Sequence, residues 1–160
     1  MILTAQKRRQ LTLLTFAALI AILVAVGTFW YRNYSQDDVY INYRYSRSIA
    51  TGQGFVFNTG ENVQGTTTPL FALLMAAVYS LTPDLIHAGN LVSAVSLAGV
   101  CLLTFKLGER IGGSWLGAGA AMMLALNTWF YISFGMETLT YTLLLTGAFW
   151  FASRDQDSLA

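Results

Sequence analysis

Charge is what this sequence has least of. Only 11% of its 160 residues are Asp, Glu, Lys or Arg, where a soluble domain carries about 25%. The charges are missing in blocks, as lipid-facing segments require. The formal net charge is +1, which leaves no overall basic surface for a polyanion and argues against a nucleic-acid partner. Cysteine and histidine are as scarce, with one of each. Cys101 sits inside an apolar run. An internal disulfide is therefore excluded, a metal or redox motif lacks its other ligands, and the thiol reads as small apolar packing. His87 has no partner residues at ligand spacing. Internal repeats, low-complexity tracts, Gly-rich nucleotide loops, zinc motifs and serine nucleophile elbows are all missing.

What the sequence has is long apolar runs. Lys7, Arg8 and Arg9 precede an uncharged stretch from Leu11 to Tyr31. That length crosses a hydrocarbon core of about 30 Å, and Trp30 and Tyr31 close it as interfacial aromatics do. The basic cluster keeps residues 1–10 in the cytoplasm. A cleaved signal peptide, with Ala25-Val26-Gly27 as its cleavage site, is the rival reading, but the run continues past that point. The next run, 69–81, is too short for a full crossing and suits a re-entrant or surface-lying helix opened by Pro69. Pro83 and Asp84 break the chain. Fuller runs follow at 85–107, 115–134 and 138–153. If 69–81 does not cross, Lys106, Arg110 and Arg154 fall in the cytoplasm, as the positive-inside rule prefers. Glu137 then lies outside with Asp37 and Asp38. If 69–81 does cross, Lys106 and Arg110 lie outside and Glu137 at the cytoplasmic face, while Asp37 and Asp38 stay outside. The first arrangement is favoured. The expected fold class is all-α: a polytopic transmembrane helical bundle of about four crossings, with juxtamembrane helices in the first external loop. One membrane domain covers 1–160, in a cell inner or plasma membrane.

Residues 32–84 form the external loop, and 32–66 is the one long polar stretch. From Asp37 to about Ala50 it lacks Gly and Pro and predicts a helix, with the acidic pair as N-cap and dipole partner and Gly52 as its end. Phe55-Val56-Phe57 reads as a short extended piece before the Asn58-Thr59-Gly60 turn. Asp37, Ile41, Arg44 and Ser48 share one helical face, flanked by Tyr40 and Arg47. An aspartate with guanidinium groups one and two turns on can form a pocket for an anionic lipid head group. The carboxylate accepts a hydroxyl proton and arginine grips a phosphate. The plain alternative is a solvated amphipathic helix with a capping acid. Glu137, between two apolar runs, is either a functional carboxylate at a membrane helix end or an ordinary loop charge. Gly113, Gly117 and Ala121 are spaced for close helix packing.

The order of residues from 37 to 70 carries a resemblance. It runs Asp37-Asp38-Val39-Tyr40-Ile41-Asn42-Tyr43-Arg44-Tyr45-Ser46-Arg47, then Gly52-Gln53-Gly54-Phe55-Val56-Phe57-Asn58, then Gly60-Glu61-Asn62-Val63-Gln64-Gly65-Thr66-Thr67-Thr68-Pro69-Leu70. This resembles the first-loop signature of GT-C superfamily glycosyltransferases that use polyprenyl-phosphate donors, such as arabinofuranosyltransferase-like proteins. It is similar, more distantly, to aminoarabinose transferases and protein O-mannosyltransferases. Gly135-Met136-Glu137-Thr138 resembles a stretch found after the third crossing in the same group.

The resemblance implies an aspartate of the first external loop as general base on an acceptor hydroxyl. Asp37 is that base, and Asp38 its partner or a ligand of acceptor or metal, since a divalent cation assists in some members. Tyr40, Arg44, Arg47, Thr67, Thr68 and Glu137 are the implied substrate-binding residues. The implied partners are a polyprenyl-phosphate sugar donor, an extracytoplasmic glycan, lipid or protein acceptor, and the bilayer. The sequence departs from the group in two ways. Members have roughly ten or more crossings, and distant relatives carry a lysine beside the proline that here follows Thr68. The length is thus expected to reflect a fragment, a truncated product or half of a split enzyme, with another protein supplying missing helices. The alternative function is a non-catalytic subunit that binds a lipid-linked sugar or a partner membrane protein. A transporter is disfavoured, because the membrane runs carry almost no ionisable residues.

Overall fold

The computed structural model describes residues 5–157 except positions 62 and 64. The first four residues of the expected cytoplasmic segment, and Asn62 and Gln64 of the signature, lie outside the described residues, as do the side chains of Arg8 and Arg9. The described residues form seven helices in order: α1 Ala5–Tyr31, α2 Asp37–Ala50, α3 Pro69–Tyr79, α4 Leu85–Gly112, α5 Ser114–Ala125, α6 Thr128–Ile132 and α7 Thr138–Asp157. No strand forms among the described residues. The Phe55–Phe57 piece, expected to be extended, pairs with nothing as a strand and serves another purpose, given below.

Among the described residues two helices are long and apolar enough to cross a bilayer, α1 over Leu11–Tyr31 and α4 over Leu85–Gly112. α1 has apolar side chains on every side, and only 11% of that span is buried within the protein. Leu14, Ile22, Val26, Phe29 and Trp30 are exposed. In water so large an apolar face draws association. In hydrocarbon it meets a solvent of its own polarity. Hydroxyls within α1 are satisfied by the helix itself: Thr15 and Thr28 donate to the carbonyls of Leu11 and Val24 at 2.9 and 2.7 Å. α3, at 11 residues, spans about 16 Å and is too short to cross.

The helices pack in a defined sense. The Phe16 and Phe105 rings meet at a tilt of 32° with centroids 4.6 Å apart, so α1 begins where α4 ends and the two run antiparallel. α4 and α7 run parallel. Ser96 meets Thr140, Lys106 meets Trp150 and Arg110 meets Ser153, each pair 43 or 44 positions apart. α5 returns along α4 after Gly113, whose φ of +85° ends one helix and starts the next. Gly113 is therefore a turn, and the close packing belongs to its neighbours. A Cβ on Gly108 would come 2.6 Å from the Gly117 Cα, and one on Gly117 would strike the Phe105 carbonyl.

The run expected as one helix over 115–134 is two. Asn127 takes an extended conformation, and its side-chain oxygen accepts from the Trp129 N–H at 3.0 Å, opening α6 as a new N-cap. The orphan Ala125 carbonyl at the end of α5 accepts from the Tyr131 hydroxyl at 2.7 Å. An asparagine side chain competing with the helical backbone explains the break.

Asp84 starts α4. Its carboxylate accepts from the His87 backbone N–H at 3.2 Å and meets the His87 ring at 2.7 Å. These contacts, the backbone one first, hold its carboxyl below the usual range. A carboxylate lowered in the folded state stabilises above its unfolded pKa, and the effect vanishes as pH falls through the folded value. Acidification is thus expected to lower the amide protection factors at Ile86–Ala88, each taken against the intrinsic exchange rate at that pH, in the wild type but not in Asp84→Asn, whose amide caps at every pH. Equal acid response in both proteins would contradict this role.

Two buried clusters hold the assembly. One joins α1, α4, α5, α6 and α7 around Ile20, Leu97, Phe105, Ala121, Tyr131 and Leu139. The other seats α2 and α3 on the start of α4 through Val39, Tyr43, Phe71, Met75 and Leu85. Together they put Lys106, Arg110 and Arg154 at one end of the bundle and α2, α3 and Glu137 at the other.

Candidate functional site

The site is built on α2. Its N-cap is Gln36, which makes no side-chain cap bond; Asp37 and Asp38 occupy the first helical turn. The acidic pair is thus inside the helix rather than its cap, where it still faces the positive end of the helix dipole. At the other end Gly52, with φ +76°, lets the Gln53 N–H reach the Ser48 carbonyl at 2.9 Å and the Gly52 N–H reach Ile49 at 3.1 Å. That pattern is a Schellman stop.

The face of α2 that matters starts from Asp38, not Asp37. Asp38, Asn42 and Tyr45 stand at i, i+4 and i+7, on one side of the helix. Tyr45 is fully buried. Its hydroxyl donates to the Val63 carbonyl at 2.7 Å and accepts from the Gly65 N–H at 2.6 Å. The rings of Phe55 and Phe57 pack on it at 4.9 and 5.9 Å. Arg44 reaches away from the cavity, donating from Nε to the Phe57 carbonyl at 2.9 Å. The aromatic and arginine positions of the 37–57 stretch therefore fold the loop back on its own helix.

Asn42 is the hub. It is 6% exposed. Its Oδ1 accepts from the Thr66 hydroxyl at 2.6 Å and the Thr68 hydroxyl at 3.0 Å, and its Nδ2 donates to Glu137 Oε2 at 3.5 Å. Thr66 Oγ1 also accepts from the Thr68 N–H at 3.2 Å. One amide thus ties α2, the strap before α3 and the turn before α7. Glu137 ends a turn that begins at Gly135, whose φ is +86° and whose N–H donates to Ser93 Oγ at 2.9 Å. A Cβ on Gly135 would come 2.9 Å from the Tyr43 hydroxyl. That hydroxyl is buried without a hydrogen-bond partner. Burial, with Tyr40 adding, pushes its pKa up.

These elements enclose a cavity of about 210 Å³ whose polar lining is Asp38, Asn42, Thr66, Thr67, Thr68 and Glu137. Of the residues singled out from sequence, Asp38, Thr67, Thr68 and Glu137 line it. Asp37, Tyr40, Arg44 and Arg47 do not; all four are exposed on other faces of α2. Asn42 is not among the residues that the sequence singles out. Its signal is the i, i+4 spacing from Asp38, on a face about 100° around the helix from the Asp37 stripe.

The lining holds two carboxylates, an amide and three threonines, and no Lys or Arg. Such a wall offers hydrogen-bond acceptors to hydroxyl groups. Among the described residues no three His, Cys, Asp or Glu converge. A divalent cation would have Asp38, Glu137 and threonine oxygens as ligands, because Asn42 Oδ1 already holds two hydroxyls. Comparison with protein-family models, characterised proteins and solved structures finds no match to this chain. The chemistry of the site therefore rests on its own residues.

Proposed function

We propose that the chain is the catalytic portion of a membrane glycosyltransferase, moving a sugar from a polyprenyl-phosphate donor to an extracytoplasmic acceptor hydroxyl. One observation carries the reading. Asp38 and Glu137, which come from the two stretches that resemble the GT-C signature, line one polar cavity 99 positions apart in sequence. In this reading Asp38, rather than Asp37, takes the acceptor proton. The freed oxygen forms a bond to the anomeric carbon. The bond from that carbon to the phosphate oxygen breaks, and polyprenyl phosphate leaves with the electron pair. Thr67, Thr68 and Glu137 orient the hydroxyl groups. Transfer tested on membranes with a panel of polyprenyl-phosphate sugars is the direct assay, and no transfer from any of them by the intact assembly would overturn it.

The same reading has four crossings, α1, α4, α5 with α6, and α7, with α2 and α3 outside and both ends of the chain in the cytoplasm. It is supported by the segregation of Lys106, Arg110 and Arg154 from Asp38 and Glu137 along the bundle and by the positive-inside rule. In a Cys101→Ser background, Thr138→Cys is expected to react with an impermeant thiol reagent added outside, and Ser114→Cys only after permeabilisation. The reverse pattern would sink the arrangement.

A second reading, a non-catalytic subunit that holds a lipid-linked sugar or a partner membrane protein, is favoured by one feature. Between α1 and α4 lies an apolar groove of about 520 Å³ with Ala21, Ala25, Ala94 and Ala98 in its walls. Small residues let another helix approach closely.

A further inference from the structure

The two helices that follow the walls of the polar cavity in sequence line a second, apolar groove. On one wall the strap Thr66–Thr68 leads into α3, and on the other Glu137 leads into α7. A groove of about 310 Å³ runs between them, lined by Leu70, Phe71 and Leu74 of α3 and by Thr140, Tyr141 and Leu144 of α7. Phe71 forms its floor, 1% exposed, while Leu70 and Leu144 stay open at 60% and 57%. Its six residues carry no charge. α3 also exposes Leu73, so this short helix has an apolar face for the outer leaflet beside the groove.

The charge of the cavity decides what kind of head it takes. Its carboxylates face no lining cation, and an anionic head would meet like charge there. A hydroxyl head meets acceptors instead. Polar head and aliphatic chain are thus matched in order by surfaces that follow one another along both chain segments. We infer that the site binds a lipid-anchored polyol, its hydroxyls on Asp38 and Glu137 and its chain in the α3–α7 groove. Resting on the glycosyltransferase reading, this ligand is the acceptor, and the acceptor is a membrane glycolipid rather than a soluble glycan or a protein.

The test uses the full chain in phosphatidylcholine nanodiscs and a dodecyl glucoside with a diazirine in its chain. Photolabelling is expected on Leu70–Leu74 and Thr140–Leu144, with competition by unlabelled dodecyl glucoside but not by glucose or dodecyl phosphate. Leu144→Trp and Leu74→Trp each fill the groove from an exposed position. Labelling should drop about tenfold in both, as for a chain losing roughly two buried methylenes. Label spread evenly along α1, or equal competition by dodecyl phosphate, would overturn the inference. Transfer to a soluble polyol that Leu144→Trp leaves unchanged would also overturn it while keeping the transferase. Groove-confined label without sugar transfer would leave the lipid site standing and remove the transferase.

Discussion

Asp38→Asn is expected to lower sugar transfer by about 10²- to 10⁴-fold, the span that a positioned general base supplies. The amide keeps the size of the side chain but cannot take the acceptor proton. Asp37→Asn is the sharper comparison. Asp37 lies in the same helical turn and is exposed outside the cavity, so its charge acts mainly on the dipole of α2, worth about 0.3–1 kcal/mol. Its loss should change transfer by no more than about fivefold. Initial rates of the two variants at matched membrane expression decide the matter. Full activity in Asp38→Asn would end the base assignment, and a large loss in Asp37→Asn alone would return that role to the first aspartate.

Asn42→Leu is expected to destabilise the external layer by about 2–4 kcal/mol. The change removes the shared acceptor of the Thr66 and Thr68 hydroxyls, which keep only each other at 3.3 Å, and takes a donor from Glu137; a buried group left unpaired costs about 1–3 kcal/mol. The effect should appear as a lower thermal midpoint and as faster proteolysis of residues 52–68, with α1 and α4 protected as before. Asn42→Asp separates polarity from shape. It keeps the acceptor for Thr66 and Thr68 but sets a second carboxylate beside Glu137. Like charges raise one pKa of such a pair, so this variant is expected to be weakest near pH 7 and to recover as pH falls and one carboxylate takes up a proton. A leucine variant as stable as the wild type would show that the hub holds nothing together.

Most helices were legible from the chain alone, because their signals are local. The apolar run to Tyr31, the Gly- and Pro-free stretch from Asp37 to Ala50 and the stop at Gly52 each depend on neighbours within a few residues. The short run after Pro69 could be judged by length. The break at Asn127 was also local, but an asparagine in an apolar run competes with the helical backbone only where the new cap can form and the freed carbonyl finds a partner. Here that partner is Tyr131. The aromatic pattern at Tyr45, Phe55 and Phe57 was visible, but its purpose was not. Ring packing across a loop depends on where the loop turns back.

The site shows the same division at finer grain. Composition and run lengths by themselves determined an all-helical chain with segments suited to a bilayer, and residue order singled out the acidic pair and Glu137. Which aspartate lines the cavity was decided only when α2 docked on α3 and α4 through Val39, Tyr43, Phe71 and Met75. One residue of helical phase separates Asp37 from Asp38, about 100°, and hydrophobic burial sets that phase. Arg44 turned to the loop for the same reason. The partnership of Asn42 with Thr66, Thr68 and Glu137 was likewise a tertiary outcome. A buried amide takes its partners from whatever polar groups packing brings within about 3 Å, and sequence spacing does not encode that distance.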